Sequence, residues 1–183
     1  MRSLLFAPAD SARKLEKSLT SGADAVIVDL EDAIAPDQKM AARASAAAFL
    51  KETAGSKTRP RLFVRVNGLE SGITDADLDA VLPAKPDAVV LPKAEGGASI
   101  IHLDAKLTAR EAMFNLSDGG TNIFAFAIES AKAMFLAGSY AGASSRLIGL
   151  TWGSEDLSFA FGAESSRGAD GNFLDPYRLA RTL

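Results

Sequence analysis

The stretch that decides the fold is Asn122-Ile123-Phe124-Ala125-Phe126-Ala127-Ile128-Glu129, an apolar run that ends in a carboxylate. Its residues do not alternate between apolar and polar, and this pattern is typical of a strand covered on both faces, as in a parallel sheet. Similar short runs lie on either side of it along the chain. We therefore predict strands at Ser3–Ala7, Ala25–Asp29, Arg61–Asn67, Ala88–Pro92, Asn122–Glu129 and Arg146–Thr151.

Helix-like stretches separate the predicted strands, and Asp37 is a plausible N-cap of the second, alanine-rich one. The predicted helices are Ser11–Thr20, Asp37–Thr53, Ile73–Leu82, a part of Ala98–Asn115, Ala131–Gly138 and Asp175–Leu183. This βα alternation indicates an α/β protein with a parallel sheet.

Two fold classes fit the alternation, an open doubly wound sheet and a closed TIM (β/α)8 barrel. Polar residues follow five of the six predicted strands, and convergence of these residues on one C-terminal rim favours the barrel. The chain ends at Leu183 inside a helical pattern, without a glycine or proline stop signal. We therefore predict a single (β/α) barrel domain over residues 1–183, with about six βα units and its C-terminal part missing.

The composition excludes several classes of protein. Nearly half of the 183 residues are apolar, yet no apolar run approaches the roughly 20 residues of a membrane span. The absence of cysteine rules out disulfides and Cys-ligated zinc and agrees with a cytoplasmic location. The net charge is −3 without a basic block, so we expect no nucleic-acid partner and no membrane partner.

Two acidic residues follow the last two predicted strands. Glu129 closes the first of them, and Asp156 comes shortly after the second. Neighbouring strands lie about 4.8 Å apart, so carboxylates at the same end can share a hard cation such as Mg²⁺. Each residue alone also fits a structural role, Asp156 as a helix N-cap and Glu129 as an acid in the first turn of a helix. The occurrence of both at one rim favours a metal site.

Arg65 is a charged residue inside an apolar strand, where it needs a partner to offset its desolvation. That partner is a carboxylate of Asp29 or Asp32 in one interpretation, and a substrate carboxylate or a developing enolate oxygen in the other. The two interpretations are compatible. With Glu31, the segment Asp29-Leu30-Glu31-Asp32 places three carboxylates around one strand end.

A glycine-flanked turn ends at Gly153, just before Ser154, Glu155 and Asp156, and its free N–H groups can bind a substrate carboxylate. Lys93 either supplies a cation to the same rim or extends into solvent. His102, the single histidine, is away from the predicted strand ends and indicates a surface or packing residue. A Ser-His-Asp triad and nucleotide-binding glycine loops are not indicated.

Several motifs resemble those of the citrate lyase beta subunit-like proteins of the HpcH/HpaI aldolase superfamily. They are Arg2-Ser3-Leu4-Leu5-Phe6-Ala7-Pro8, Gly22-Ala23-Asp24-Ala25-Val26-Ile27-Val28-Asp29-Leu30-Glu31-Asp32-Ala33, Val64-Arg65-Val66-Asn67, Leu91-Pro92-Lys93, Ile128-Glu129-Ser130 and Gly153-Ser154-Glu155-Asp156-Leu157. The resemblance runs along nearly the whole chain. Ala9 and Ser130 depart mildly from it, because the family usually has glycine and threonine there.

The resemblance implies a Mg²⁺-dependent TIM-barrel lyase that forms trimers or hexamers. Its reaction makes or breaks a carbon–carbon bond between an acyl-CoA enolate and a 2-oxo acid such as oxaloacetate, with citryl-CoA, malyl-CoA or citramalyl-CoA as the type of thioester. The residues that match by position are Glu129 and Asp156 as metal ligands, Arg65 as the substrate-binding arginine, and Glu31 and Asp32 as acids near the metal's water.

The remaining expected site residues extend this set. Arg65, Glu31 and Asp32 are the expected catalytic residues, and Gly153, Ser154 and Glu155 join Arg65 in binding substrate. Ser11, Arg13 and Lys14 are candidates for the CoA phosphates, although solvated helix charges explain them as well. Three alternatives stay open: an acyl-CoA thioesterase with the same site, a metal-dependent pyruvate aldolase, and a non-catalytic subunit or remnant. The aldolase branch uses a histidine base, and the position of His102 counts against it.

Overall fold

The computed structural model describes residues 1–56 and 58–183, which are built around a parallel sheet with the strand order β1-β2-β3-β4-β5-β6. The strands are β1 (Leu4–Pro8), β2 (Ala25–Asp29), β3 (Arg61–Arg65), β4 (Ala88–Leu91), β5 (Asn122–Ile128) and β6 (Leu147–Trp152). All neighbouring strands pair in parallel. The six predicted strands are confirmed, and each boundary differs from its prediction by at most two residues.

Helices follow the strands. Those in the described residues are α1 (Ala12–Ser18), α2 (Lys39–Thr53), α3 (Thr74–Val81), α4 (Gly97–Met113), α5 (Ala131–Phe135), α6 (Ser154–Phe161) and α7 (Asp175–Thr182). The prediction that Asp37 caps α2 was wrong, because a 3-10 turn over Pro36–Gln38 precedes this helix. None of these helices is both long and apolar enough to cross a membrane.

Alternate residues of β2, β3, β4 and β5 face two different apolar clusters. Val26 and Val28 of β2 belong to the larger cluster, which lies between the sheet and the helices. Ile27 belongs instead to a smaller cluster on the other face of the sheet, together with Phe63 of β3. Because both faces are covered, the strands are apolar throughout, as the sequence indicated.

The sheet is strongly curved, with the smaller cluster on its inner side. Phe6 of β1 and Phe126 of β5 are four strands apart in the sheet order, which is about 19 Å in a flat sheet. Their ring centroids are nevertheless only 6.2 Å apart. The inner side chains therefore meet across the interior, and the chain has the TIM-type arrangement of parallel strands inside and helices outside.

Among the described residues β1 and β6 pair with no further strand, so the sheet forms an open arc rather than a closed barrel. Apolar side chains of the two edge strands are correspondingly accessible. Leu5 of β1 is 38% exposed, and Leu150 of β6 is 46% exposed. The six βα units predicted from the sequence are thus present, with two free sheet edges.

Candidate functional site

The C-terminal ends of the strands surround a cavity of about 440 Å³, which we call the rim cavity. Its lining residues are Phe6, Asp29, Asp32, Arg65, Phe126, Glu129, Trp152, Gly153, Ser154, Glu155 and Asp156. Residues that are more than 120 positions apart in the chain meet here because every strand points the same way. Seven of the predicted site residues line this one cavity: Asp32, Arg65, Glu129, Gly153, Ser154, Glu155 and Asp156.

Arg65 ends β3, and the strand register explains its main contact. It lies opposite Asp29, the last residue of β2. Its Nε and Nη2 atoms donate to the two carboxylate oxygens of Asp29 at 2.8 and 2.6 Å, and its Nη1 atom lies 2.9 Å from Glu31 Oε2. Arg65 is only 9% exposed, so its charge requires such partners. The ion pair with Asp29 is confirmed, and it occupies one side of the guanidinium.

Two aromatic rings flank the guanidinium of Arg65. Its Cζ atom lies 4.9 Å from the ring centroid of Phe6 and 5.9 Å from that of Phe126. Cation–π attraction to both rings adds to the ion pair in holding the side chain. The sequence analysis did not identify these two phenylalanines. The sequence did contain a signal for them, because side chains alternate between the two faces of a strand and both phenylalanines occupy inward-facing positions.

Glu129 follows β5 and is nearly buried. Its Oε2 atom accepts a hydrogen bond of 2.6 Å from the backbone N–H of Lys93. Burial raises the pKa of Glu129 to about 7, and the negative charges of Asp156 and Glu31 act in the same direction. Glu129 precedes Ser130, the N-cap residue of α5, so it is not an acid in the first turn of that helix.

Gly153 and the first turn of α6 form the wall beside Glu129. A Cβ atom at Gly153 would lie 2.6 Å from Glu129 Oε1, so only glycine permits this approach. The backbone N–H of Gly153 donates to Ile128 O at 3.2 Å, so of the N–H groups in this turn that of Gly153 is not free. Asp156 is the third residue of α6 and not its N-cap, a position that Gly153 occupies.

Glu31, Asp32 and Lys93 form an ion cluster at the edge of the rim cavity. The Lys93 ammonium donates to Glu31 Oε1 and lies 3.4 Å from Asp32 Oδ1 and 3.8 Å from Asp156 Oδ1. Burial raises the pKa of the Glu31 carboxyl, although Lys93 and Arg65 oppose this shift. Lys93 therefore supplies a cation to the rim, while about half of its side chain remains exposed to solvent.

The candidates for CoA binding lie apart from the rim cavity, at the start of α1. Ser11 is at the N-cap position of this helix without a side-chain capping bond, and Arg13 and Lys14 are exposed in its first turn. Because α1 follows the C-terminal end of β1, this group belongs to the same end of the sheet. Its exposure leaves it available to an anionic ligand.

His102 lies on α4 and is exposed to solvent. Since α4 covers the outer face of the sheet, the imidazole is remote from the rim cavity and is absent from its lining. This placement agrees with the expectation of a surface residue.

The residues of the rim fit a hard divalent cation. The candidate ligands Glu129 and Asp156 offer only oxygen atoms, as Mg²⁺ prefers, and two carboxylates leave positions for water and substrate. A nearby cation would also relieve the cost of ionising the buried Glu129. No cluster of three or more His, Cys, Asp or Glu side chains with metal-binding geometry occurs in residues 1–56 and 58–183. The fit therefore rests on a two-carboxylate set.

Comparison with protein families gives one match over almost the whole chain. The model of the HpcH/HpaI aldolase/citrate lyase family matches residues 2–174.

Curated and solved relatives agree with this match. The citrate lyase subunit beta of Haemophilus influenzae is 36% identical over 155 residues, which are 85% of this chain and 52% of that protein. A (3S)-malyl-CoA thioesterase of Cereibacter sphaeroides is 38% identical over 162 residues, which are 88% of this chain and 52% of that protein. This chain thus spans about half the length of these curated relatives.

A solved structure shares the fold. The citrate lyase beta subunit of Mycobacterium tuberculosis, complexed with oxaloacetate and magnesium, superposes with a TM-score of 0.75 at 34% sequence identity. The match covers 98% of this chain and 70% of that one.

Proposed function

This chain belongs to the HpcH/HpaI aldolase/citrate lyase family, and on that premise we propose that it acts as a Mg²⁺-dependent carbon–carbon lyase. The proposed substrates are 3-hydroxyacyl-CoA thioesters of the citryl-CoA, malyl-CoA or citramalyl-CoA type, which are cleaved to an acyl-CoA and a 2-oxo acid. The observation that carries the proposal is the meeting of Glu129, Asp156 and Arg65 in the rim cavity. The oxaloacetate and magnesium bound by the mycobacterial relative support the same substrate class.

Glu129 and Asp156 are the proposed holders of Mg²⁺. Bound there, Mg²⁺ would supply positive charge that favours the negative charge developing on the oxo acid. The Lys93 N–H keeps Glu129 in place for this role. The absence of a side chain at Gly153 leaves space for the Glu129 carboxylate.

In the cleavage direction a proton leaves the substrate hydroxyl, the carbon–carbon bond breaks, and its electron pair moves onto the thioester as an enolate. The enolate then takes up a proton at carbon. Arg65 is the proposed group that stabilises the enolate oxygen, through Nη1, which Asp29 does not bind and which lies beside Glu31 and Asp32 at the rim cavity. Glu31 and Asp32 are the further proposed catalytic residues, which hold the guanidinium and order water beside the reacting groups.

Gly153, Ser154 and Glu155, at the start of α6, are the proposed site for a substrate carboxylate. The Gly153 N–H is already bonded to Ile128 O, so the N–H groups at the start of α6 that favour an anion, together with the helix dipole, are those of Ser154 and Glu155. No side chain of the described residues caps α6. Ser11, Arg13 and Lys14 remain the proposed contacts for the CoA phosphates, a role that the exposure of the two cations supports.

The test is a calorimetric titration of oxaloacetate into the protein with and without Mg²⁺. We expect binding only with Mg²⁺, and a loss of at least about tenfold in affinity for Asp156→Ala, because one carboxylate ligand is removed. Asp175→Ala is the matched control, since Asp175 also lies in the first turn of a short helix but is exposed. Metal-independent binding, or equal affinity in Asp156→Ala, would contradict the proposal.

A thioesterase is the second candidate, because a malyl-CoA thioesterase is among the relatives. Assays with malyl-CoA separate the two activities. A lyase releases glyoxylate and keeps the thioester, whereas a thioesterase releases malate and a free thiol. Thiol reagents report the product without background, because the chain contains no cysteine.

We further propose a homo-oligomer, a trimer or hexamer, and a cytoplasmic location. The exposed apolar residues of the two edge strands support association. The lack of cysteine supports a reducing compartment.

A further inference from the structure

Lys93 follows β4 in a backbone conformation that L-residues rarely adopt. Its φ of 53° lies in the left-handed region, which costs a residue with a Cβ atom conformational energy. In this conformation its N–H meets Glu129 Oε2 at 2.6 Å. The left-handed backbone conformation of Lys93 therefore helps to place Glu129, one of the two proposed metal ligands.

The side chain of Lys93 lies near the other acids of the rim. Its ammonium contacts Glu31 and lies within 4 Å of both Asp32 and the second proposed ligand, Asp156. The side chain is 48% exposed, so it has room to move away from these partners into solvent.

The charge balance explains why a cation is needed there. The carboxylates around the rim are Asp29, Glu31, Asp32, Glu129, Glu155 and Asp156, and the cations that pair with them in the described residues are Arg65 and Lys93. Arg65 is committed to Asp29 by two hydrogen bonds. Among the described residues, Lys93 is thus a cation that lies within 4 Å of the proposed ligand Asp156 and is not held by a bidentate pair.

We propose that Lys93 is a positioning residue that balances the charge of the rim until Mg²⁺ binds. Its backbone N–H holds Glu129, and its ammonium stands near Asp156 and gives way to the metal. The ammonium and the metal then compete for the same carboxylate charge. This inference rests on the proposed Mg²⁺ site.

If the Lys93 ammonium competes with Mg²⁺, its removal should raise the Mg²⁺ affinity, whereas damage to the structure of the site should lower it. Removal of the ammonium strengthens the attraction of the acids for Mg²⁺, because one positive charge near Asp156 disappears. Damage to the site would weaken Mg²⁺ binding instead. The same removal destabilises the metal-free protein, since the acids then repel one another without compensation.

The experiment compares four variants with the wild type by Mg²⁺ calorimetry and by thermal unfolding in EDTA. Lys93→Met removes the charge and keeps the N–H, whereas Lys93→Arg keeps both. Lys93→Gly also keeps the N–H and suits the left-handed backbone. Lys132→Met is the matched control, because Lys132 pairs with Glu95 and forms no ion pair with Glu31, Asp32 or Asp156 in the described part of the chain.

We expect Lys93→Met and Lys93→Gly to bind Mg²⁺ about tenfold more tightly than the wild type at low salt. Lys93→Met should also melt at a lower temperature in EDTA, a deficit that saturating Mg²⁺ removes. Lys93→Arg and Lys132→Met should retain the wild-type affinity. Unchanged or weaker Mg²⁺ binding by folded Lys93→Met and Lys93→Gly would overturn the inference about Lys93 and leave the proposed function intact. A wild type that binds no Mg²⁺ would overturn the proposed function together with it.

Discussion

At the scale of residues, two contacts fix the Glu129 carboxylate at the rim. Glu129 occupies the space that a side chain at position 153 would need, and its other oxygen is held by a backbone N–H. The carboxylate is consequently fixed from two sides before any ligand arrives. Such preorganisation lowers the cost of ordering a ligand group when a cation binds.

Gly153→Ala should disturb Glu129 with little effect elsewhere. The new Cβ atom would overlap Glu129 Oε1, so the carboxylate must shift. We expect Mg²⁺ affinity, measured by calorimetry, to fall about tenfold or more and the free energy of unfolding to fall by about 1–2 kcal/mol. Gly138→Ala is the control, because nothing lies within 4 Å of a Cβ atom at that position. Equal Mg²⁺ affinities in the two variants would contradict the assigned role of Glu129.

The pKa of Glu129 predicts how the metal-free protein responds to pH. In the folded state this pKa is about 7, whereas the ordinary value is 4.5. The folded protein therefore holds a proton that the unfolded chain releases, and stability declines as pH rises from about 4.5 to about 7. We expect a decline of about 1–2 kcal/mol in urea unfolding with EDTA, with allowance for water at the rim.

Glu129→Gln provides the comparison for this pH profile, because glutamine does not titrate. Its unfolding free energy should vary less over the same pH range. The carboxyl of Glu31, whose pKa burial also raises, leaves part of the slope in both proteins. Parallel profiles would show that Glu129 ionises normally.

At the scale of elements, the attachment of β6 depends on a buried ion cluster at the opposite end of the sheet. Arg146, directly before β6, bonds both carboxylate oxygens of Glu111 on α4 at 2.9 and 2.7 Å, and also contacts Asp104 at 2.6 Å. Glu111 in turn accepts the N–H groups of Gly119 and Thr121. The network joins α4, the loop before β5 and the start of β6.

Arg146→Met should destabilise the protein by about 3–5 kcal/mol, because it leaves the buried Glu111 without its cation. Urea unfolding measures this loss. Arg110→Met, on the same helix as Glu111, removes a pair with Asp75 and Asp79, whose carboxylates are exposed to solvent, and should cost less than about 1 kcal/mol. Similar losses of unfolding free energy in both variants would mean that the buried network contributes no more to stability than the pair on the helix surface.

At the scale of the whole molecule, the two edges of the sheet in the described residues are accessible to solvent. β1 and β6 each expose apolar side chains together with unpaired backbone groups, and such edges readily pair with other chains. The curvature of the sheet brings the inner faces together but leaves these edges unpaired in the described residues. The two edges are therefore the surfaces at which we expect association.

We expect this chain to self-associate in size-exclusion chromatography with light scattering. Leu150→Lys and Leu5→Lys should shift the mass towards the monomer, because a charge on an edge strand opposes pairing. Ile101→Lys is the control, since Ile101 is exposed on α4, away from both edges. A monomeric wild type at micromolar concentration would contradict this expectation.

Local signals explain which elements were predictable. β2 and β5 are continuous apolar runs, and this property identifies a buried strand without knowledge of its partners. Helix α6 is absent from the predicted helices, and the sequence offered it only through Asp156 as a possible N-cap, because its N-cap is a glycine and its eight residues are too few to show a clear period. Asp37 has the composition of a cap, but Pro36 opens a 3-10 turn there and the helix begins later.

The sequence by itself determined the α/β class, the number and order of the strands, and which acids follow them, because apolar runs and turn residues act over a few positions. Only the tertiary structure decided that Arg65 faces Asp29, that Glu129 packs against Gly153, and that Lys93 turns inward. These contacts depend on strand register and sheet curvature. Both result from packing between residues that are far apart in the chain, which no local pattern records.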